Sequence, residues 1–230
     1  MKQIKVIALV MGFCVALASC NTWNNMSKTG QGAIVGAGGG AALGSIIGAI
    51  AGNTGVGAAI GTAVGAGTGA VIGNRMDKVK KQAQAQLKNA EVETVKDNNG
   101  LDAVKVTFNS GILFATNKAD LTPTSKSELS NLVNIMKQNS DVSIDVQGYT
   151  DNTGNDAINN PLSLKRAQSV ANYLTENGVQ YAQMKNVKGF GSSNPVADNN
   201  TVAGRQQNRR VEVYLYASQE MISKANQQAQ

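Results

Sequence analysis

Histidine is absent from this 230-residue chain, cysteine occurs twice and proline three times, and aromatic residues make up 4%. Without an imidazole, histidine-based acid–base chemistry, serine or cysteine triads that depend on it, and most zinc sites are excluded. No metal site or cofactor motif stands out in what remains, and an enzyme becomes the less favoured reading. Charge of one sign is also scarce: the net +6 comes from 21 Lys and Arg against 15 Asp and Glu. Residues 101–218 hold eleven cations and ten anions, so there is no nucleic-acid footprint there. Residues 75–96 hold six cations and three anions, which suits a solvated helix or one touching anionic headgroups. What the chain has in abundance is glycine. Of 25 glycines, 16 fall within residues 30–73, a stretch with no charged side chain.

Residues 1–19 combine Lys2 and Lys5 with an apolar run and small residues before Cys20, the pattern of a secretory signal. Leu17-Ala18-Ser19-Cys20 resembles the bacterial lipobox, which implies that Cys20 is lipidated and becomes the first residue of the mature chain. Cys14 leaves with the signal, so no intramolecular disulfide is expected. Residues 20–31 then form a lipid-anchored tether.

Glycines at 32, 36, 40, 44, 48 and 52 recur every fourth residue, and the series resumes at 57, 61, 65, 69 and 73. In a helix this spacing lines one face with hydrogen atoms and lets another helix backbone approach. Ile34, Val35, Leu43, Ile46, Ile47, Ile50, Ile60, Val64, Val71 and Ile72 make the other faces apolar. Each glycine costs a helix in water about 1 kcal/mol relative to alanine, so eleven of them call for dense packing or a membrane. Residues 32–52 and 56–73 would each span about 30 Å, near the hydrocarbon thickness of a bilayer. The segment 32–74 therefore reads as a helical hairpin turning at Gly52-Asn53-Thr54-Gly55, packed on itself or on other copies of the chain. A flexible glycine–alanine linker is the plainer alternative. The block resembles the glycine-zipper segments of bacterial outer-membrane lipoproteins.

Residues 75–90 read as a polar helical linker, with Val79, Ala83 and Leu87 at four-residue spacing. Composition then changes. Alternating apolar residues in 91–95 and 103–108 flank Asn98-Asn99-Gly100, a hairpin signal. Thr122-Pro123 caps a helix carrying Leu129, Leu132, Val133 and Met136 on one face. Val142, Ile144 and Val146 alternate as a strand. Leu164, Ala167, Val170, Ala171 and Leu174 mark a second helix ended by Asn177-Gly178, and Val211, Val213 and Leu215 a last strand. Residues 91–217 thus predict an α+β domain of β-α-β-α-β order behind a hairpin, and 218–230 a polar tail.

Gly148-Tyr149-Thr150-Asp151-Asn152-Thr153-Gly154, followed by Asn159, Leu162-Ser163, Arg166-Ala167, Val170 and Tyr173-Leu174, resembles the peptidoglycan-binding domain of the OmpA-like family. Phe114-Ala115-Thr116-Asn117-Lys118, Gly189-Phe190-Gly191 and Asn208-Arg209-Arg210-Val211-Glu212 extend the likeness. It implies a mixed sheet with helices packed on it, and a site that holds the zwitterionic end of the stem-peptide diamino acid, diaminopimelate, with an aspartate and an arginine. Those roles carry onto Asp151 and Arg166, and neighbouring polar positions onto Asn117, Thr150, Asn159 and Arg209. Ala115 stands where many relatives carry an acidic residue, which leaves a ligand contact there unsupported.

From the residues alone, Asp151 and Arg166 could equally pair with one another or be solvated separately. If Ser163 caps the helix, Arg166 falls near its third position, where the macrodipole disfavours a cation by about 0.3–1 kcal/mol. A residue placed against a local rule suggests function. The expectation is a lipid-anchored outer-membrane protein with its C-terminal domain in the periplasm, tethering membrane to peptidoglycan. Its alternative is a zipper-driven oligomer or channel that the wall domain anchors.

Overall fold

The computed structural model describes residues 65–229, Thr116 excepted. The signal, Cys20, the tether and the glycine-rich segment up to residue 64 lie outside the described residues. Helix α1, Ala66–Gln86, opens the described chain and is followed by strands β1, Ala90–Lys96, and β2, Asp102–Asn109. A single-turn helix α2, Ser110–Leu113, and helix α3, Pro123–Gln138, lead to β3, Val142–Gly148. Helix α4, Asp156–Glu176, a 3-10 turn at Tyr181–Gln183 and strand β4, Met184–Gly189, come next. Helix α5, Val202–Asn208, strand β5, Arg210–Ala217, and helix α6, Gln219–Gln228, complete the order.

The sheet runs β1-β2-β5-β3-β4, antiparallel except for the parallel β3–β4 pair, the mixed sheet expected of the α+β class. Alternation decides its faces. Val104, Val106 and Phe108, Val142, Ile144 and Val146, and Val211, Val213 and Leu215 join one core with residues of α1, α3, α4 and α6. The intervening residues of β5 (Arg210, Glu212, Tyr214 and Tyr216) occupy the opposite face. The β1–β2 turn forms as read: the Asp97 carboxylate accepts from Asn99 N–H (2.8 Å) and Leu101 N–H (2.9 Å), and Gly100 adopts φ +72°. Thr122 Oγ1 accepts from Ser125 N–H at 3.1 Å with Pro123 in the first turn, so α3 also starts where its cap predicts.

Four features differ from expectation. The boundary expected at residue 74 falls inside one uninterrupted helix. Ile72, Met76, Val79, Ala83 and Leu87 are buried in the core, so residues expected as a linker are a layer of the domain. Each large apolar side chain buried gains about 1.5–3 kcal/mol, which outweighs about 1 kcal/mol for each of the helical glycines 67, 69 and 73. Thr68 Oγ1 donates to Asn226 Oδ1 at 2.6 Å and Arg75 pairs with Asp141 at 2.9 Å, fixing the helix to α6 and to the start of β3. Among the described residues, no helix is long and apolar enough to cross a membrane.

The polar tail is the second difference: it is helix over Gln219–Gln228, capped by Ser218, with Met221, Ile222 and Ala225 buried. The third is β4, an additional edge strand in which only Met184 and Val187 pack on the core. The fourth is the start of α4. Its cap is Asn155, whose side chain accepts from Ile158 N–H at 3.2 Å, and Pro161 and Ser163 both lie inside the helix. Arg166 therefore sits in its third turn, away from the N-terminal field, and the macrodipole argument does not apply to it. Leu164, expected on the core face, is exposed.

Candidate functional site

Hydrogen bonds at one end of the sheet bring three chain segments side by side. Ser110 N–H donates to Arg209 C=O at 2.8 Å, joining the exit of β2 to the entrance of β5. Tyr149 N–H donates to Arg210 C=O at 2.9 Å, joining β5 to the exit of β3. The early turns of α4 lie across that end because two glycines let them approach. A Cβ on Gly148 would stand 2.1 Å from Ser163 C=O, and one on Gly189 would stand 2.3 Å from Leu164 N. Ser163 ties the same place together by accepting from Gly191 N–H at 2.9 Å, which is its role in place of the expected cap.

Between these parts lies a cleft of about 440 Å³. All six residues expected at the site line it: Asn117, Thr150, Asp151, Asn159, Arg166 and Arg209. Asp151 Oδ1 accepts from Thr153 N–H at 2.8 Å, and Oδ2 accepts from Arg209 Nη1. Burial alone would raise the Asp151 carboxyl, but the Arg209 and Thr153 hydrogen bonds outweigh it and hold its pKa below the usual carboxylate value. Asn159 serves the loop: its amide donates to Thr153 C=O at 3.1 Å and to Asp151 C=O at 3.4 Å. Asn117 is exposed and holds φ +57°, a conformation that asparagine adopts more readily than most residues.

Arg166 does not pair with Asp151. It is only 4% exposed; its Nε donates to Lys118 C=O at 3.0 Å, and its Cζ lies 5.2 Å from the Phe114 ring centroid. Burial, then the positive charge of Arg209, pull its pKa below the ordinary guanidinium value, against the opposing pull of Asp151. Among the described residues no side chain neutralises it. The lining thus carries two guanidiniums and one carboxylate, and that carboxylate is already paired. Ala115 lines the cleft without adding a second acid. The arrangement can take an anion at Arg166 and, by sharing or displacing Arg209, a cation at Asp151.

Sequence reasoning missed Ser110, Ile158 and Leu162, which also line the cleft. Ile158 is 57% exposed on the first turn of α4, an apolar edge beside the charged groups. Leu162 stands in the motif that carries the resemblance but is given no role there, and no local pattern marks Ser110 or Ile158, because it is the β2–β5 pairing and the approach of α4 that bring them together. A second hollow of about 470 Å³ is lined by Glu93, Lys105, Arg210 and Glu212, whose charges are already paired, Lys105 with Glu93 and Arg210 with Glu212.

Comparison with known proteins agrees with this geometry. Residues 113–209 match the OmpA family and residues 1–77 the YMGG-like Gly-zipper. The chain is 40% identical over 113 residues to the peptidoglycan-binding protein ArfA of Mycobacterium tuberculosis, covering 49% of this chain and 34% of ArfA. It is 38% identical over 110 residues to the outer-membrane lipoprotein YfiB of Pseudomonas aeruginosa, covering 48% of this chain and 65% of YfiB. The match thus spans about a third of one relative and just under two thirds of the other. A crystal structure of a MotB-like protein from Desulfovibrio vulgaris shares the fold, with a TM-score of 0.56 at 22% identity over 66% of this chain and 96% of that one. The chain is thus similar to the OmpA family over residues 113–209 and to the YMGG-like Gly-zipper over residues 1–77, the latter match ending within α1.

Proposed function

We propose that the cleft binds peptidoglycan noncovalently at the diamino acid of its stem peptide, and that the chain tethers the outer membrane to the cell wall through a lipid on Cys20. The carrying observation is the buried guanidinium of Arg166 without a counter-ion, facing a cleft whose one carboxylate is Asp151. A buried cation lacking a partner is costly unless an anion completes it, and a guanidinium takes a carboxylate through two parallel hydrogen bonds. The free end of the diamino acid supplies that carboxylate together with an ammonium for Asp151. Two relatives, one a peptidoglycan-binding protein and one an outer-membrane lipoprotein, support the same reading. Arg209, which pairs with Asp151, would share that carboxylate with the ligand's ammonium. The role is one of recognition, with no turnover.

Retention of the full chain on purified sacculi in detergent is the test. Arg166→Ala and Asp151→Ala should each lose about 30-fold or more, as expected when one member of a buried charged contact is removed at about 2–5 kcal/mol. Lys165→Ala, beside Arg166 but exposed, should lose little beyond screened attraction. Wild-type retention by both main variants would discard this site, and the zipper-driven assembly would become the better account.

A further inference from the structure

Four buried side-chain polar atoms lack a hydrogen-bond partner among the described residues: Ser110 Oγ, Thr150 Oγ1, Glu128 Oε2 and Asn194 Nδ2. Two of the four, Ser110 and Thr150, belong to residues lining the same cleft, while Glu128 and Asn194 lie outside it. Ser110 is 2% exposed and Thr150 is 5% exposed. Their backbone N–H groups are engaged: Ser110 N–H donates to Arg209 C=O at 2.8 Å and Thr150 N–H to Gly191 C=O at 2.7 Å. The residues are thus held in place, and only the hydroxyls are left over. They stand on the β2 and β3 exits, on either side of the β5 entrance that carries Arg209. Leaving a buried hydroxyl unsatisfied costs a fold more than a hydrogen bond normally returns, so two such groups at one cleft call for a partner that enters it.

We propose that Ser110, together with Thr150, forms a neutral subsite that hydrogen-bonds the peptide amide through which the bound diamino acid is joined to its stem peptide. This deepens the peptidoglycan reading and rests on it. The ammonium and carboxylate of the free end are matched by Asp151 and Arg166, which leaves the peptide-linked end, with its uncharged amide, to be met. A hydroxyl both donates and accepts, as an amide requires. The subsite distinguishes a diamino acid set in a peptide from the free amino acid, whose corresponding end carries charge instead of an amide.

The sign of the stability change separates this role from a structural one. Ser110→Ala removes a hydroxyl that has no partner in the free protein, so the melting temperature of the full chain in detergent should stay unchanged or rise. The same variant should bind a synthetic tripeptide ending in diaminopimelate about 3- to 10-fold more weakly than wild type by calorimetry, the scale of one neutral hydrogen bond. An unchanged dissociation constant overturns the proposal. So does a lowered melting temperature, with or without a loss of affinity, since it would mean that the hydroxyl serves the fold or an internal water. Failure of the wild-type chain to bind the tripeptide is a separate outcome: it would remove the peptidoglycan reading, and this subsite with it.

Discussion

Arg209 Nη1 donates to Asp151 Oδ2 across 58 positions of sequence, so the entrance of β5 holds the loop that leaves β3. This ion pair, with the Thr153 N–H on the other oxygen, keeps the Asp151 carboxyl below its usual pKa. A carboxyl depressed in the folded state stabilises the fold above its unfolded pKa of about 3.9, and that contribution is lost as pH falls through the lower, folded value. Arg209→Met should therefore melt a few degrees below wild type at pH 7, and the two curves should meet once acid has protonated Asp151. Parallel curves at every pH from 2.5 to 7 would show that the pair does not influence stability.

Gly189→Ala should lower stability by about 1–3 kcal/mol or more, because the new Cβ would meet the α4 backbone at Leu164 N and Cα, 2.3 and 2.6 Å away. Backbone cannot swing aside as a flexible side chain can. The helix that moves carries Asn159 and Arg166, so sacculus retention should fall with stability. Gly65→Ala is the contrast, since nothing lies within 4 Å of its Cβ position. Urea unfolding of the two variants gives the comparison directly.

Arg210 and Glu212, each 1% exposed, form a buried pair in which Arg210 Nε donates to Glu212 Oε1 at 2.6 Å. Tyr214 donates its hydroxyl to the other Glu212 oxygen, and the Arg210 guanidinium lies 3.9 Å from the Tyr149 ring centroid. Removing one charge strands the other in the interior. Glu212→Ala is expected to destabilise by about 3–5 kcal/mol, and Glu212→Gln, whose oxygen can still accept from Arg210 while its NH2 donates to the Tyr214 oxygen, by less. Denaturant midpoints for the two substitutions will show whether the ranking holds.

Helix α1 is the natural place to misjudge where the domain starts. A chain beginning at residue 90 lacks Ile72, Met76, Val79, Ala83 and Leu87 and uncovers the core they seal. It should aggregate or melt well below a chain beginning at residue 65. Equal melting temperatures for the two truncations would return residues 75–90 to the status of a linker.

The strongly alternating strands β2, β3 and β5 and the Thr122-Pro123 cap were legible because each is a local pattern with one physical cause. The first two turns of α4 were not, because they face the cleft with Asn159 and Ile158 and so carry no apolar period. Helix α6 hid for a related reason: three buried residues among seven others leave a weak pattern that reads as tail. Asp151 and Arg166 were identified through resemblance, and the structure brings both to one cleft. That Arg209 is the partner of Asp151 depends on β5 lying between β2 and β3, which no spacing in the sequence expresses.

The strand made last is the one in the middle of the sheet. As the chain emerges from N- to C-terminus, the β1–β2 hairpin and the β3–α4–β4 unit exist as two pieces, each with an open edge and no direct pairing between them. Pairings such as Phe108 with Val211 and Val146 with Val213 must wait for residues 210–217, and such late, distant contacts slow folding and leave edges exposed meanwhile. The central strand of the sheet is thus missing until residues 210–217 have been made. Because the same strand brings Arg209 to Asp151, the charged lining of the cleft is complete only when the sheet closes.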